Sequence, residues 1–387
     1  MNAIVILGTG LAGYSVAREF RKLGKATPLV LLTRDGGGFY SKPMLSNAIA
    51  QGKEAASLVT STAEQMRAQL GAEIRPGVEV AAIDATSRTV RLASGETLPY
   101  AKLVLAPGAD PIRIPLAGDA AGDVLSVNDV EDYARFRHAI IGKRRIAVIG
   151  AGLIGSEFAN DLASGGYEVE VIDLAQAPLG RLAPRDAGEF VRERLEAIGV
   201  RFHLGRAPKA VGRATDGLVV TLEDGTRVAA DVVLSAVGLR PRTGLATDAG
   251  LAVNRGIVVD RFLATSAPDV YALGDAAEVE GLVLPYVMPI MQAARALAKT
   301  LAGEPTAVVY PAMPVVVKTP AAPLVVSPVA RGEACWEIAT SAESVRAECF
   351  DRDGQLAGFA LAGTAVADKQ ALTKRVPAWL PAETAVA

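Results

Sequence analysis

The chain has 387 residues, half of them hydrophobic and 21% charged, which allows two or three domains with real cores and argues against disorder. Its 40 basic and 42 acidic residues leave a formal charge of −2, so no global basic field exists to hold nucleic acid. No apolar run reaches the roughly 18 residues of a membrane span, and the start, read as a buried strand over residues 1–7, lacks a charged leader. A cytoplasmic protein is expected. Cys335, Cys349, His138 and His203 stand at no CxxC or metal-ligand spacing, so neither a disulfide framework nor a metal site is expected.

Taken in chain order, the apolar run AIVIL (3–7) leads through GTGLAG (8–13) into a helical pattern over 11–23 and a second apolar run over 28–33. The succession recurs: RIAVI (145–149), GAGLIG (150–155), a helical pattern over 153–164, then EVEVID (168–173). Each copy reads as a βαβ unit in which every glycine has a task. Gly8 permits the tight turn out of the strand, Gly10 lets backbone approach a pyrophosphate, and Gly13 lets helix and strand pack closely; Gly150, Gly152 and Gly155 repeat the set. The phosphates then face the positive end of the helix. One such loop also arises from packing alone. An acid about 20 residues further on, Asp35 after the first copy and Asp173 after the second, is placed to bond ribose hydroxyls. Two complete fingerprints imply two dinucleotides, and two dinucleotides imply a redox relay.

LVLAPGADP (103–111), LSAVGLRPRT (234–243) and TSAPDVYALGDAAEV (265–279) are further short apolar strands ending in glycine turns. With both fingerprints, in this order, they resemble the FAD-dependent pyridine-nucleotide oxidoreductases of the glutathione-reductase fold over about residues 3–310. The resemblance implies an α/β chain with two Rossmann-like dinucleotide-binding domains, the NAD domain inserted in the FAD domain, and a small α+β C-terminal domain. The implied bounds are 1–109 and 238–314 for FAD, 110–237 for NAD and 315–387 for the last domain. Non-covalent FAD is expected on Gly8, Thr9, Gly10, Leu11, Ala12, Gly13, Thr33, Arg34, Asp35, Val80, Ala106, Gly108, Asp275 and Val287. NADH is expected on Gly150, Gly152, Leu153, Ile154, Gly155, Asp173 and Gly238. The chain departs from the family pattern in two places: Ala106, Pro107 and Gly108 stand for the usual ATG, and the acid that usually ends the second FAD strand is displaced into Thr33, Arg34 and Asp35.

The branch is marked by an absence. FYSKPMLS (39–46) has no cysteine where disulfide reductases of the family carry a redox pair, and where its peroxidases and oxidases carry one thiol. SKPMLS, EDYARFR (131–137), GLIGSEFANDL (152–162) and VVVKTP (315–320) resemble instead the flavoprotein reductases that serve small iron proteins. Bacterial rubredoxin reductases are the nearest likeness, with ferredoxin and flavorubredoxin reductases beside them. This implies that electrons pass from NADH through FAD to rubredoxin, one at a time. Reduction of an oxygenase ferredoxin, or a flavin-bearing redox sensor that binds partners, are the alternatives.

Lys42 and Lys318 each end an apolar or aromatic run near a proline that favours extended backbone. By resemblance both are expected beside the isoalloxazine, where an ammonium favours the negative charge of reduced flavin; by composition alone they are solvated lysines. Glu157, read as lying in the first turn of its helix, gains about 0.3–1 kcal/mol from the helix dipole whatever its role, and by resemblance faces flavin and nicotinamide. Asp173 accepts from a 2′-hydroxyl but repels a 2′-phosphate, so it is expected to select NADH over NADPH. Met288, Met291 and an alanine-rich helix over 292–301 read as core packing. Arg135, Arg137, Lys143, Arg144 and Arg145 form a basic cluster, either ordinary solvated surface or a steering patch for an acidic carrier. His138 and His203 receive no catalytic role.

Overall fold

The computed structural model describes residues 3–24, 26–329, 332 and 335–382. Met1 and Asn2 of the expected first strand lie outside the described residues. AIVIL forms the strand Ala3–Leu7, and Ile4, Val5 and Ile6 are almost wholly buried, as a strand covered on both faces requires. Leu29–Leu32 pairs with it in parallel on one side, with Glu73–Arg75 beyond. Thr97–Leu105 pairs in parallel on the other side and also takes Val270–Ala272. A strand from late in the chain thus completes a sheet begun at residue 3, so the second fingerprint is carried in an insertion. The helices Leu11–Lys22 and Val287–Leu301 pack on each other.

The inserted unit is a parallel sheet in the order Arg201–Leu204, Glu168–Asp173, Arg145–Ile149, Val232–Ser235. The antiparallel strands Pro208–Ala214, Gly217–Leu222 and Arg227–Ala230 cover one face through a core that includes Ile149, Ile172, Val211 and Val220. The chain enters this unit along Ala109–Pro111 and leaves along Leu239–Pro241, and the two crossings pair antiparallel. Arg242 clamps them, donating from Nε to Asp110 Oδ1 (2.7 Å) and from Nη1 to the Pro107 carbonyl (2.6 Å).

The last unit is an antiparallel sheet in the order Val315–Val317, Leu324–Ser327, Leu356–Gly363, Ser344–Phe350, Cys335–Thr340. It is not free-standing. Val326, Val345, Ala347 and Ala360 share one core with Leu58 of the first unit and with Phe158 and Phe190 of the insertion. Beyond the short helix Lys369–Thr373 the chain turns back, so that Leu380 exchanges backbone hydrogen bonds with Tyr310 and Trp379 is buried in the core of the first unit.

Two expectations about packing need correction. The helix expected over 292–301 begins earlier, at Val287, and Met288 lies in its first turn with 48% of its surface exposed, outside the core. Met291 does pack inward, its sulfur accepting from the Ser15 hydroxyl at 3.4 Å. The thiols do not bridge: Cys349 stands opposite Trp336, and Cys335, one residue earlier, therefore points to the other face of the sheet. Burial pushes the Cys349 thiol pKa up, which makes it a poor nucleophile.

Candidate functional site

The two glycine loops separate the needs of the chain from those of a ligand. A Cβ added at Gly8 (φ +107) would lie 2.2 Å from the Ala106 carbonyl oxygen, and one at Gly13 would lie 1.9 Å from that of Gly8. At Gly10 it would meet nothing within 4 Å. The second loop repeats this: 2.6 Å from the Ala236 oxygen at Gly150, 1.9 Å from the Gly150 oxygen at Gly155, and nothing within 4 Å at Gly152. The outer glycines serve the fold. The middle ones keep space clear at a helix N-terminus, although their backbone is extended and open to any residue. Both helices, Leu11–Lys22 and Leu153–Ser164, start without a side-chain cap and without an acid in the first turn. Their first N–H groups are therefore left for an anion, and two pyrophosphates fit these residues.

Around the first loop, Asp35 Oδ1 accepts from Thr33 Oγ1 (2.7 Å), Gly37 N (2.9 Å) and Thr9 Oγ1 (3.4 Å). Arg34 turns to Asp110 at 3.6 Å. Val78 N bonds the Thr33 carbonyl at 2.8 Å, which sets Val80 at the start of the strand Val80–Asp84 beside this turn. The Tyr14 hydroxyl donates to the Gly37 carbonyl, and burial foremost pushes this phenol up to about 12. Gly108 (φ +75) turns the chain toward the insertion just after Ala106 has met Gly8. Gly274 (φ +82) packs so closely that its Cβ would fall 2.8 Å from that of Ala12, which holds the turn Gly274–Ala276, and with it Asp275, over the start of the first helix. Val287, 39% exposed, opens the helix that packs alongside.

Asp275 meets Lys42 Nζ at 3.7 Å. Burial lowers the Lys42 pKa, and the Asp275 charge opposes that effect. The extended backbone expected at Lys42 belongs instead to Ser41; Lys42 opens the single turn Lys42–Ser46. The reason is local, since a proline near the start of a one-turn helix forfeits no hydrogen bond.

Glu157 also lies elsewhere than expected. The helix begins at Leu153, so Glu157 is one turn in and past the strongest dipole field; it is only 1% exposed. Charge pairing accounts for it instead. Its Oε1 accepts from Lys318 N at 3.0 Å, and its Oε2 accepts from Lys318 Nζ and from Ser46 Oγ. Lys318 Nζ also reaches Ser46 Oγ at 3.3 Å. The same helix face holds Asn160 and Asp161. Asn160 Oδ1 accepts from Ala321 N at 3.1 Å, while the Asp161 carboxylate, its pKa raised by burial, accepts from Ile49 N (2.8 Å) and Ala50 N (3.1 Å). Ser46, Asn160 and Asp161 were not singled out in the sequence. Their only signal was their place inside SKPMLS and GLIGSEFANDL, the segments that carried the resemblance.

At the second loop, Asp173 accepts from Ala151 N and, at 2.7 Å, from Ala175 N, so it ties the loop to its own turn. Ile154 is 38% exposed beside Leu153 at the helix start. Gly238 (φ +121) lies at the returning crossing, where its carbonyl accepts from Ile112 N at 3.0 Å. Lys42 and Lys318 have separate partners, Asp275 and Glu157. The basic cluster is largely neutralised: Arg135 pairs with Asp132, Arg137 with Glu54, Arg144 with Glu168, and Arg145 with Asp231. His203 bonds Glu170 at 2.7 Å on an edge strand, and His138 is exposed.

Two uncapped glycine loops, one in a domain and one in its insertion, with a third unit closing on both, define an oxidoreductase built for two dinucleotides. Residues 2–299 match the pyridine nucleotide-disulphide oxidoreductase model, and the chain belongs to that family. Residues 307–376 match the rubredoxin binding C-terminal domain. The chain is 52% identical to a rubredoxin-NAD(+) reductase of Alcanivorax borkumensis, over 98% of this chain and 100% of that one. It is 46% identical to the enzyme of the same name from Acinetobacter baylyi, over 99% and 100%. Among solved structures it is similar to the ferredoxin reductase for the CYP199A2 system of Rhodopseudomonas palustris (TM-score 0.88, 27% identity, covering 98% and 96%). The putidaredoxin reductase of a covalent complex with putidaredoxin is equally similar (TM-score 0.88, 28% identity, covering 97% and 94%). Among the described residues no helix is long and apolar enough to cross a membrane.

Proposed function

We propose that the chain is an NADH-dependent flavoprotein reductase that passes electrons singly to rubredoxin, in the cytoplasm. The observation that carries this reading is the pairing of two uncapped glycine loops, open at Gly10 and Gly152, with a C-terminal unit whose residues 307–376 match a rubredoxin-binding domain. When bound, FAD supplies the conversion between a two-electron donor and a one-electron acceptor. The residues do the rest. Gly8, Thr9, Gly10, Leu11, Ala12 and Gly13 seat its pyrophosphate, with Thr33, Arg34, Asp35, Val80, Ala106, Gly108, Asp275 and Val287 around it. Gly150, Gly152, Leu153, Ile154, Gly155 and Gly238 seat NADH, and Asp173 selects it over NADPH. Lys318, oriented by Glu157, and Lys42, held by Asp275, offer positive charge to reduced flavin.

In this reading 1–109 and 238–314 serve FAD, 110–237 serve NADH, and 315–387 meet the iron protein. The match of 307–376 to a rubredoxin-binding model and the full-length relatives at 52% and 46% identity favour rubredoxin. The solved neighbours at 27% and 28% identity favour a ferredoxin as the second reading. The test is anaerobic bleaching of rubredoxin, and of a [2Fe–2S] ferredoxin in parallel, by NADH and catalytic protein. Rubredoxin should bleach the faster. Reduction of the ferredoxin alone would select the second reading, and a purified chain that takes up no FAD would overturn both.

A further inference from the structure

One face of the C-terminal sheet packs on the other two units through Val326, Val345, Ala347 and Ala360, and the opposite face carries a patch that the nucleotide sites do not use. Val316 stands at its margin on the edge strand Val315–Val317, 50% exposed between two buried neighbours. It is paired with Val325, which packs with Leu361 of the sheet and with Leu372 and Val376 of the covering helix and its exit. Val376 also lines a groove of about 430 Å³ between residues 311–314 and 369–378, with Pro311, Pro314, Lys369, Thr373 and Lys374 along it. Exposed valine and groove are therefore continuous, apolar at the centre and edged by ammonium groups. Charge on this face is uneven. Asp368 pairs with Arg346, and Glu348 with Arg346 (2.7 Å) and Arg375 (3.4 Å), so these acids are matched. Glu337, opposite Glu348, stands on the far edge of the sheet, four strands from Val316. Lys369 and Lys374 meet no acid among the described residues, whereas Arg135, Arg137, Arg144 and Arg145 each have one.

We propose that this surface receives the electron acceptor: a small acidic iron protein seats an apolar patch on Val316 and the groove and sets carboxylates against Lys369 and Lys374. The proposal rests on the reading of the chain as a rubredoxin reductase. Three observations converge on it. The surface from Pro311 to Val376 lies inside the stretch 307–376 that matches a rubredoxin-binding model. Val316 is two residues from Lys318, so the surface adjoins the junction where the three units meet. The unmatched charge lies at the rim, where it speeds encounter more than it tightens the complex. A surface of this size is enough, since encounters between electron carriers bury less than about 1,200 Å².

The test compares Lys369→Glu combined with Lys374→Glu, and Val316→Gln alone, with the parent holoenzyme, using NADH and an acidic rubredoxin. Menadione, an uncharged quinone that needs no docking surface, replaces rubredoxin in a parallel assay. At low ionic strength the double reversal should raise KM for rubredoxin about tenfold, and the difference should fade in about 1 M salt, where screening acts within about 3 Å. Val316→Gln removes apolar contact without altering charge, so its KM should rise about fivefold at both salt concentrations. Affinity for oxidised rubredoxin, titrated without NADH, should weaken in step, and menadione reduction should keep the parent rate. Lys143→Glu, an exposed lysine outside the surface, should change neither KM nor affinity. If the double reversal lowers the melting temperature of the holoprotein, Lys369→Gln with Lys374→Gln takes its place. Parent-like KM and affinity at low salt in the double variant would overturn the surface. An equal loss with menadione would overturn it too, by placing the effect at the flavin. An oligomer lost in the double variant with KM unchanged would give the face to a second copy of the chain. A parent that reduces menadione and no rubredoxin would overturn the functional reading, and the surface with it.

Discussion

Gly10→Val and Gly152→Val test the two seats separately, because the structure predicts that each leaves the fold standing. Neither position has a neighbour within 4 Å of an added Cβ. Gly10 has φ −66 and ψ −172 and Gly152 has φ −71 and ψ −168, extended values that valine adopts. Exchanging glycine for an aliphatic residue at a helix N-cap costs about 1 kcal/mol, a tolerable fraction of a typical stability of about 5–15 kcal/mol. The ligand loses far more. If the isopropyl group denies a pyrophosphate two N–H contacts, each worth about 1.5–3 kcal/mol to a charged acceptor, affinity falls by about 3–6 kcal/mol. At about 1.4 kcal/mol per decade, that is roughly a hundredfold to ten-thousandfold. Gly10→Val should emerge colourless after desalting yet melt near the temperature of the FAD-free parent. Gly152→Val should stay yellow and lose NADH saturation. Gly13→Ala is the control that should not fold, since its Cβ falls 1.9 Å from backbone oxygen. Full flavin content in Gly10→Val would refute the assignment of the open space to phosphate, and a crossed outcome would reverse the two loops.

Asp173→Ala should narrow the preference for NADH, each tenfold loss of selectivity amounting to about 1.4 kcal/mol. It should also raise KM for both coenzymes, because Asp173 holds Ala151 N and Ala175 N as well; equal use of NADH and NADPH by the parent enzyme would refute the selecting role. Cys335→Ser with Cys349→Ser should leave rubredoxin bleaching nearly intact, since the thiols are free and point to opposite faces of the last sheet; lost activity with FAD retained would reveal a thiol relay. At Asp231 burial opposes ionisation, but the Arg145 guanidinium and the N–H groups of Arg144 and Arg145 hold the carboxyl at about 2 against an ordinary 3.8. Its stabilisation is complete above about pH 4 and is lost as pH falls toward about 2, so melting of Asp231→Asn and parent should converge across that window.

The elements around each glycine loop were legible because their causes are local. A run of β-branched and aliphatic residues, a turn only glycine can make and an amphipathic helix lie within a few residues of one another, and the bounds Arg145–Ile149, Leu153–Ser164 and Glu168–Asp173 follow. What escaped was set by distant chain. The sequence could not show that acids elsewhere would neutralise the basic cluster, or that Met288 would face outward from the start of its helix.

The helix after Gly152 shows why the junction was the least legible part. In GLIGSEFANDL the residues Glu157, Asn160 and Asp161 fall at i, i+3 and i+4, which marks one polar face and ordinarily means solvent. Here that face is buried, and its acceptors are met by N–H groups of Ile49, Ala50, Lys318 and Ala321. Those donors come from two other units of the chain. An unmatched buried carboxylate or amide costs several kcal/mol, so the helix is satisfied only when both neighbours dock in one register. Apolar cores of the kind that join Phe158 to Val326 tolerate small slips between units, whereas directed hydrogen bonds do not. The polar face therefore fixes how the nucleotide domain, the first unit and the C-terminal sheet stand to one another, and Lys318 receives its place at the junction by the same contacts.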